Sequence, residues 1–187
     1  MFTNSGCAAM GYGLPAALGA AVARQERNER VICIDGDGSL MMNVQEMETI
    51  SYYRLNVKLF LLNNHGYQSI RQTQRNLFHS SLIGLDPESG VGFPDFATLS
   101  KAFSFDYFQL DSEAAADKVI QAVLNAEGPV LCNVIVDPEQ IFAPKLSSQI
   151  LPDGRIISPS MDDMFPFLPR EEYVKNHYLG YAENKSS

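Results

Sequence analysis

Two short segments hold the residues best suited to chemistry: Asp35-Gly36-Asp37-Gly38-Ser39 and Asn63-Asn64-His65-Gly66. Asp37 offers a carboxylate, Asn64 an amide oxygen, and Gly66 an open backbone carbonyl. Three hard oxygen donors suit Mg²⁺ or Ca²⁺ rather than zinc, and Mg²⁺ commonly completes its shell with water and substrate phosphate. The first segment also presents the N–H groups of Gly38 and Ser39 at an expected helix start, a natural place for an anion. No Lys or Arg occurs between Val31 and Tyr53. A diphosphate placed here would face Asp37 with nothing to neutralise either charge, unless a divalent cation lay between them. Metal and diphosphate therefore imply one another.

Each segment ends a run that reads as a buried strand, Arg30–Asp35 and Val57–Leu62. Ser39 is the expected N-cap of a helix reaching Tyr53, with Met42, Val44, Met47 and Ile50 near helical spacing. Upstream, Pro15 suits a first helical turn, and the Ala and Gly after it give a smooth, closely packing helix. Helices are expected over Phe96–Ala102 and Glu113–Ala126, and strands over Tyr107–Leu110 and Val130–Val136. Strands apolar on both faces that alternate with helices predict an α/β, doubly wound, mainly parallel sheet with helices on both faces. Ligands in such sheets bind beyond the carboxyl ends of the strands, where both polar loops fall. A dinucleotide fingerprint would need glycine at position 41, and Met41 stands there.

The expected domain spans residues 1–137. Six of the ten prolines lie in residues 138–187, which read as an extended Pro-rich tail with one short helix at Arg170–His177. The apolar run Met164–Leu168 is expected to pack on the domain or across a subunit interface.

The chain has 187 residues, 45% hydrophobic and 19% charged, enough apolar material for a substantial core and too few charges for a disordered tail or coiled coil. Its 22 acidic and 14 basic residues give a net charge of -8, which disfavours general nucleic-acid binding. The longest apolar stretch, Leu14–Ala23, is about half of the roughly 20 residues a membrane span needs. Cys7, Cys33 and Cys132 are scattered, two of them within apolar runs, as expected of buried thiols in a reducing compartment. The expectation is a cytoplasmic protein that engages neither nucleic acid nor membrane.

Gly36-Asp37-Gly38-Ser39 followed by Asn63-Asn64 resembles the thiamine diphosphate motif G-D-G…N-N, with Asn64 standing 27 positions after Asp37. The segment from Ser5 to Gly19, with Met10-Gly-Tyr-Gly-Leu-Pro at its centre, is similar to the matching stretch of acetolactate synthases. The likeness runs from about residue 3 to residue 137 and covers the pyrophosphate-binding domain of that superfamily.

The resemblance implies that Asp37, Asn64 and the Gly66 carbonyl hold Mg²⁺, while Gly38 and Ser39, with Gly36 in the same motif, bind the diphosphate. Met10 would sit under the thiazolium ring, with the backbone of Ala8 and Met10 near the aminopyrimidine. Tyr67, Ser69 and Ile70 would line the cofactor and the substrate side. The implied activity is decarboxylation of a 2-oxo acid, such as pyruvate, with transfer of an acyl-carbanion equivalent to a carbonyl acceptor.

In the family an activating glutamate comes from the N-terminal, pyrimidine-binding domain of a facing subunit, which implies a homodimer or tetramer. That domain and the usual first strand and helix are not in this sequence. The expectation is therefore an excised or fragmentary chain that is silent alone. Thr73 stands where acetolactate synthases of amino-acid biosynthesis carry tryptophan, so a different acceptor, such as a nucleotide-linked keto sugar, fits. A related decarboxylase, or a non-catalytic cofactor-binding or assembly module, stays open beside this reading.

Other residues have plainer readings. His65 suits a surface turn, and His79 and His177 suit solvent. Arg71 and Gln74 fall on a helix leaving the site, either solvent-facing or within reach of a substrate carboxylate. Asp162-Asp163 and Glu171-Glu172 read as a soluble surface.

Overall fold

The run Val57–Asn63 (β2) is apolar at nearly every position because it lies inside a parallel sheet, with Val31–Gly36 (β1) on one side and Val130–Ile135 (β4) on the other. Asp106–Leu110 (β3) pairs with the far side of β4, giving the order β1-β2-β4-β3. The computed structural model describes residues 1–4, 7–27, 29–78, 82–151 and 153–176.

Alternate residues of β4 belong to two separate apolar clusters, so the two lie on opposite faces of the sheet. On one face Leu131 joins Leu59, Leu61, Met47, Ile50 and Phe96, beneath helices Gly13–Ala23 (α1), Glu46–Tyr52 (α3) and Phe96–Ala102 (α5). On the other, Cys132 and Val130 meet Val123 of Ala116–Asn125 (α6). Each large aliphatic side chain buried there contributes about 1.5–3 kcal/mol. The fold is α/β and doubly wound, as expected.

Three local expectations differ from what forms. The helix after β1 starts at Asp37, with Gly36 as its N-cap, so Ser39 lies within it rather than capping it. That helix, Asp37–Met42 (α2), ends at Asn43, and α3 begins afresh at Glu46; the expected single helix is two. On β1, Ile32 and Ile34 are 53% and 68% exposed rather than buried. β1 is the edge strand of the described sheet, and α6 covers the β3–β4 end of the face onto which both isoleucines project.

The chain divides into two compact units, residues 1–140 and the segment from Ile141 onward. Within the second, Gln149–Ile150 (β5) and Ile156–Ile157 (β6) form a small antiparallel hairpin, and Lys145 bridges Phe165. Asp163, expected on an acidic surface, is instead buried. Both its oxygens accept from Arg170 at the start of Arg170–Asn176 (α7), each at 2.7 Å. No described helix is long and apolar enough to cross a membrane. His79 and His177 lie outside the described residues.

Cys33 and Cys132 are buried, whereas Cys7 is exposed, and all three are free thiols. Burial pushes Cys33 up to about 12, helped by the nearby Asp35 charge, and Cys132 up to about 11, both from 9.0. The folded chain therefore keeps protons that the unfolded chain releases above 9.0. Stability should be flat in these groups below that pH and fall above it, by up to about 1.4 kcal/mol per pH unit per thiol. Alkaline denaturant titrations of a Cys33→Ala, Cys132→Ala double variant should lose that added slope. At pH 8 a thiol reagent should modify Cys7 alone in the native chain and all three cysteines in denaturant.

Candidate functional site

The parallel register sets Gly36 opposite Leu62, so the chain leaves β1 and β2 at the same end of the sheet, one residue apart in height. Asp37 follows the first strand and Asn64 the second. Their loops meet: Asp37 Oδ2 accepts the Gly66 N–H at 3.0 Å, and Oδ1 accepts the Gly38 N–H at 2.7 Å. Asp37 is 1% exposed. Burial holds its carboxyl above the usual range, while the N–H groups of Gly38 and Gly66 and the nearby His65 pull the other way.

The Asn64 amide oxygen is buried without a hydrogen-bond partner. Leaving such a group unpaired costs about 1–3 kcal/mol, so its persistence asks for a partner that the protein does not supply. Asn63 does a different job, turning the chain: its Oδ1 accepts the His65 N–H at 3.1 Å. His65 has a φ of 55° and is exposed, in keeping with a surface turn.

Gly38 is required by close approach, since a Cβ there would lie 2.2 Å from the Tyr67 ring. That ring also leans on Phe93, with centroids 6.1 Å apart. The Gly38 N–H, expected to face an anion, is already engaged by Asp37.

Ser39 ties in the N-terminal loop: its Oγ accepts the Gly11 N–H at 2.8 Å. The Gly11 carbonyl accepts from Asn43 Nδ2 at 2.7 Å, so the peptides on both sides of Gly11 are held. Gly11 has φ 86°, and a Cβ would meet Met42 Cβ at 2.8 Å. The preceding residue, Met10, is exposed rather than core. The Asn43 clamp is the feature sequence reading misses, and the only trace of it is an Asn at the break between two helices.

Asp35 of the same polar segment lies near the end of β1. Its Oδ1 accepts the Gly36 N–H at 2.9 Å, while Oδ2 is buried against Gly13 without a hydrogen-bond partner. Burial raises its pKa, and Ser39 beside it lowers it.

The structure thus brings Asp37, Gly38, Asn64, Gly66 and Tyr67 together and attaches Met10 through Gly11 and Ser39. It does not tie in Ala8, Ser69 or Ile70. Ala8 is exposed with φ 49°, while Ser69 and Ile70 ride on Gln68–Phe78 (α4). Thr73, on the same helix, is exposed and donates to the Ser69 carbonyl at 3.0 Å.

Residues 1–134 match the family described as "Thiamine pyrophosphate enzyme, C-terminal TPP binding domain". The chain belongs to this family. Its doubly wound α/β sheet fits the C-terminal thiamine pyrophosphate-binding domain that this family describes. Among curated proteins it is 39% identical over 142 residues to the acetolactate synthase isozyme 1 large subunit of Escherichia coli, covering 76% of this chain and 24% of that protein. It is 38% identical over 135 residues to the isozyme 2 large subunit of the same organism, covering 72% and 24%. The chloroplastic acetolactate synthase 2 of Zea mays is 35% identical over 151 residues, covering 78% and 23%. The chain thus spans about a quarter of the length of these relatives.

Proposed function

We propose that this chain is the thiamine diphosphate- and Mg²⁺-holding domain of a 2-oxo acid decarboxylating carboligase. Asp37, Asn64 and the Gly66 carbonyl hold the ion, and the backbone at Gly36 and Ser39 meets the diphosphate, with Gly38 joining once its N–H leaves Asp37 for the anion. The observation that carries this reading is the buried, partnerless Asn64 oxygen beside two loop tips already joined through Asp37 and Gly66. The donor set is all oxygen, in keeping with Mg²⁺.

Bound there, thiamine diphosphate supplies the electron sink for decarboxylation. The chain's own residues hold and exclude. Tyr67, packed on Gly38, walls one side. Met10 stands out from a loop whose next residue, Gly11, is held by Ser39 and Asn43. Phe2, Met10, Tyr12 and Met42 are all exposed, and this apolar rim supports a facing subunit that covers the site and brings the activating glutamate. Thr73 favours an acceptor other than that of the synthases of amino-acid biosynthesis, with a nucleotide-linked keto sugar one such acceptor. The working form is a homodimer or tetramer in the cytoplasm.

Calorimetric titration with thiamine diphosphate tests the core of this reading. Binding should appear with Mg²⁺ and vanish with a chelator. Equal binding in both conditions would sink the shared ion. Pyruvate turnover should appear only when the chain is joined to a preceding pyrimidine-binding domain.

A further inference from the structure

Gly66 offers only a backbone carbonyl to the proposed ion, so something else must hold that carbonyl still. The space behind it is full. A Cβ on Gly66 would lie 2.5 Å from the Leu85 carbonyl oxygen, 2.9 Å from Arg71 Nη2 and 3.3 Å from Asp86 Cβ. These three atoms belong to one connected assembly.

Arg71 has no free face for a substrate carboxylate. It is 3% exposed, and its Nη1 donates to Gln68 Oε1 at 2.7 Å and to the Pro138 carbonyl at 3.0 Å. Its Nη2 pairs with Asp86 Oδ2 at 3.2 Å. Asp86 in turn closes a capping box: its Oδ1 accepts from the Ser89 N–H and hydroxyl at 2.9 and 2.6 Å. The turn so formed presents the Leu85 carbonyl to the Tyr67 N–H at 2.9 Å. Gln74 grips the same loop further out, donating to the Ile83 carbonyl at 3.0 Å and accepting its N–H at 2.9 Å. The inner face of α4 is therefore polar because it braces a loop, and a planar fork with several donors is what three acceptors on different segments require.

We propose that Arg71 is a positioning residue for the bound cation: through Asp86 and the Leu85 carbonyl it fixes Gly66 and so sets the affinity and size preference of the ion site. The inference rests on the reading of Asp37, Asn64 and Gly66 as the ion's holders. Mg²⁺ demands near-octahedral oxygens at about 2.0–2.1 Å, whereas Ca²⁺ accepts looser geometry at about 2.3–2.6 Å. A slackened Gly66 corner should therefore penalise Mg²⁺ more than Ca²⁺, which a general loss of stability would not do.

The test uses the full chain, with thiamine diphosphate binding followed by calorimetry across Mg²⁺ and Ca²⁺ series. Arg71→Lys and Asp86→Asn should each raise the Mg²⁺ concentration for half-maximal binding by about tenfold or more, the usual cost of removing an outer support from a metal site. The Ca²⁺ midpoint should move less. Gln74→Ala loosens the loop from its exposed side and keeps the test alive if the buried pair cannot be altered without unfolding; a smaller shift in the same direction is expected. Arg75→Ala, which breaks the surface pair with Glu139 and takes a more distant charge from Asp86 but leaves every hydrogen bond of the Arg71–Asp86 assembly intact, should leave the difference between the two midpoints in place. Unchanged midpoints in the folded variants overturn the positioning role while leaving the ion site standing. Equal shifts for both ions would also overturn it. A parent chain that binds with neither ion removes the site, and the inference with it.

Discussion

Asp37→Ala should abolish Mg²⁺-dependent binding of thiamine diphosphate, weakening it by about a hundredfold or more, the upper reach of losses at metal sites. The side chain is 1% exposed and both oxygens are directed, one to the Gly38 N–H and one to the Gly66 N–H. Two like charges about 4 Å apart repel by about 4 kcal/mol at an effective dielectric of 20, so a diphosphate meeting this carboxylate needs a cation between them.

Removing the carboxylate takes away the anchor of the proposed ion and unfastens the tip that carries Gly66. The apoprotein should suffer far less. Alanine leaves two buried N–H groups unpaired, at about 1–3 kcal/mol each, but it also removes a buried anion whose desolvation costs several kcal/mol. These oppose one another, and the thermal midpoint without ligand should move little. The cofactor-induced rise in midpoint, about 2.7 kcal/mol in stability at a hundredfold excess over Kd for the parent, should disappear. A variant that keeps that rise would remove Asp37 from the ion site. Asp37→Asn separates shape from charge and should retain part of the loop contact without recovering ion binding.

The parts of the site that could be read in the sequence are those where chemistry restricts the residue type. A carboxylate between two glycines, and an Asn pair at the end of the next strand, leave few other uses for Asp37 and Asn64. The sheet was legible for a similar reason, since Leu59, Phe60, Leu61 and Leu62 place apolar groups on both faces of one strand and an interior strand needs that. What could not be read depends on contacts that exist only once the chain has folded. Arg71 looks like a solvent-facing residue on a polar helix until Pro138 and Asp86 are seen to enclose it. Asp163 likewise reads as surface until Arg170 closes over it. Met42, Val44, Met47 and Ile50 keep helical spacing across a break at Asn43, because Asn43 has turned its side chain to Gly11. Ile32 and Ile34 have the sequence of an interior strand yet stand exposed at the described sheet edge, since a pattern records burial without saying which segment provides it.

Gly66→Ala is the second change with a large expected effect, and it acts through crowding as well as through a φ of 159° that an L side chain rarely adopts. The added methyl would lie 2.5 Å from the Leu85 carbonyl oxygen, a backbone atom that cannot swing aside as a side chain can. Leu85 is itself 0% exposed, its carbonyl engaged by the Tyr67 N–H and its N–H by Ser89 Oγ at 3.0 Å. One of the two loops must therefore yield. Overpacking of this kind costs about 1–3 kcal/mol, readable as a lower thermal midpoint of the apoprotein. The displaced tip should also lose its hold on Asp37 and carry the Gly66 carbonyl away from Asn64, lowering Mg²⁺ affinity by about 10- to 100-fold. Gly19→Ala makes the contrast, because a Cβ there meets nothing within 4 Å and the residue lies mid-helix in α1. That change should raise stability by about 0.5–1 kcal/mol and leave ion and cofactor binding untouched. If Gly66→Ala instead behaved like Gly19→Ala, neither Leu85 nor Arg71 could be the backstop of the ion site, and the close packing around Gly66 would have no bearing on what it binds.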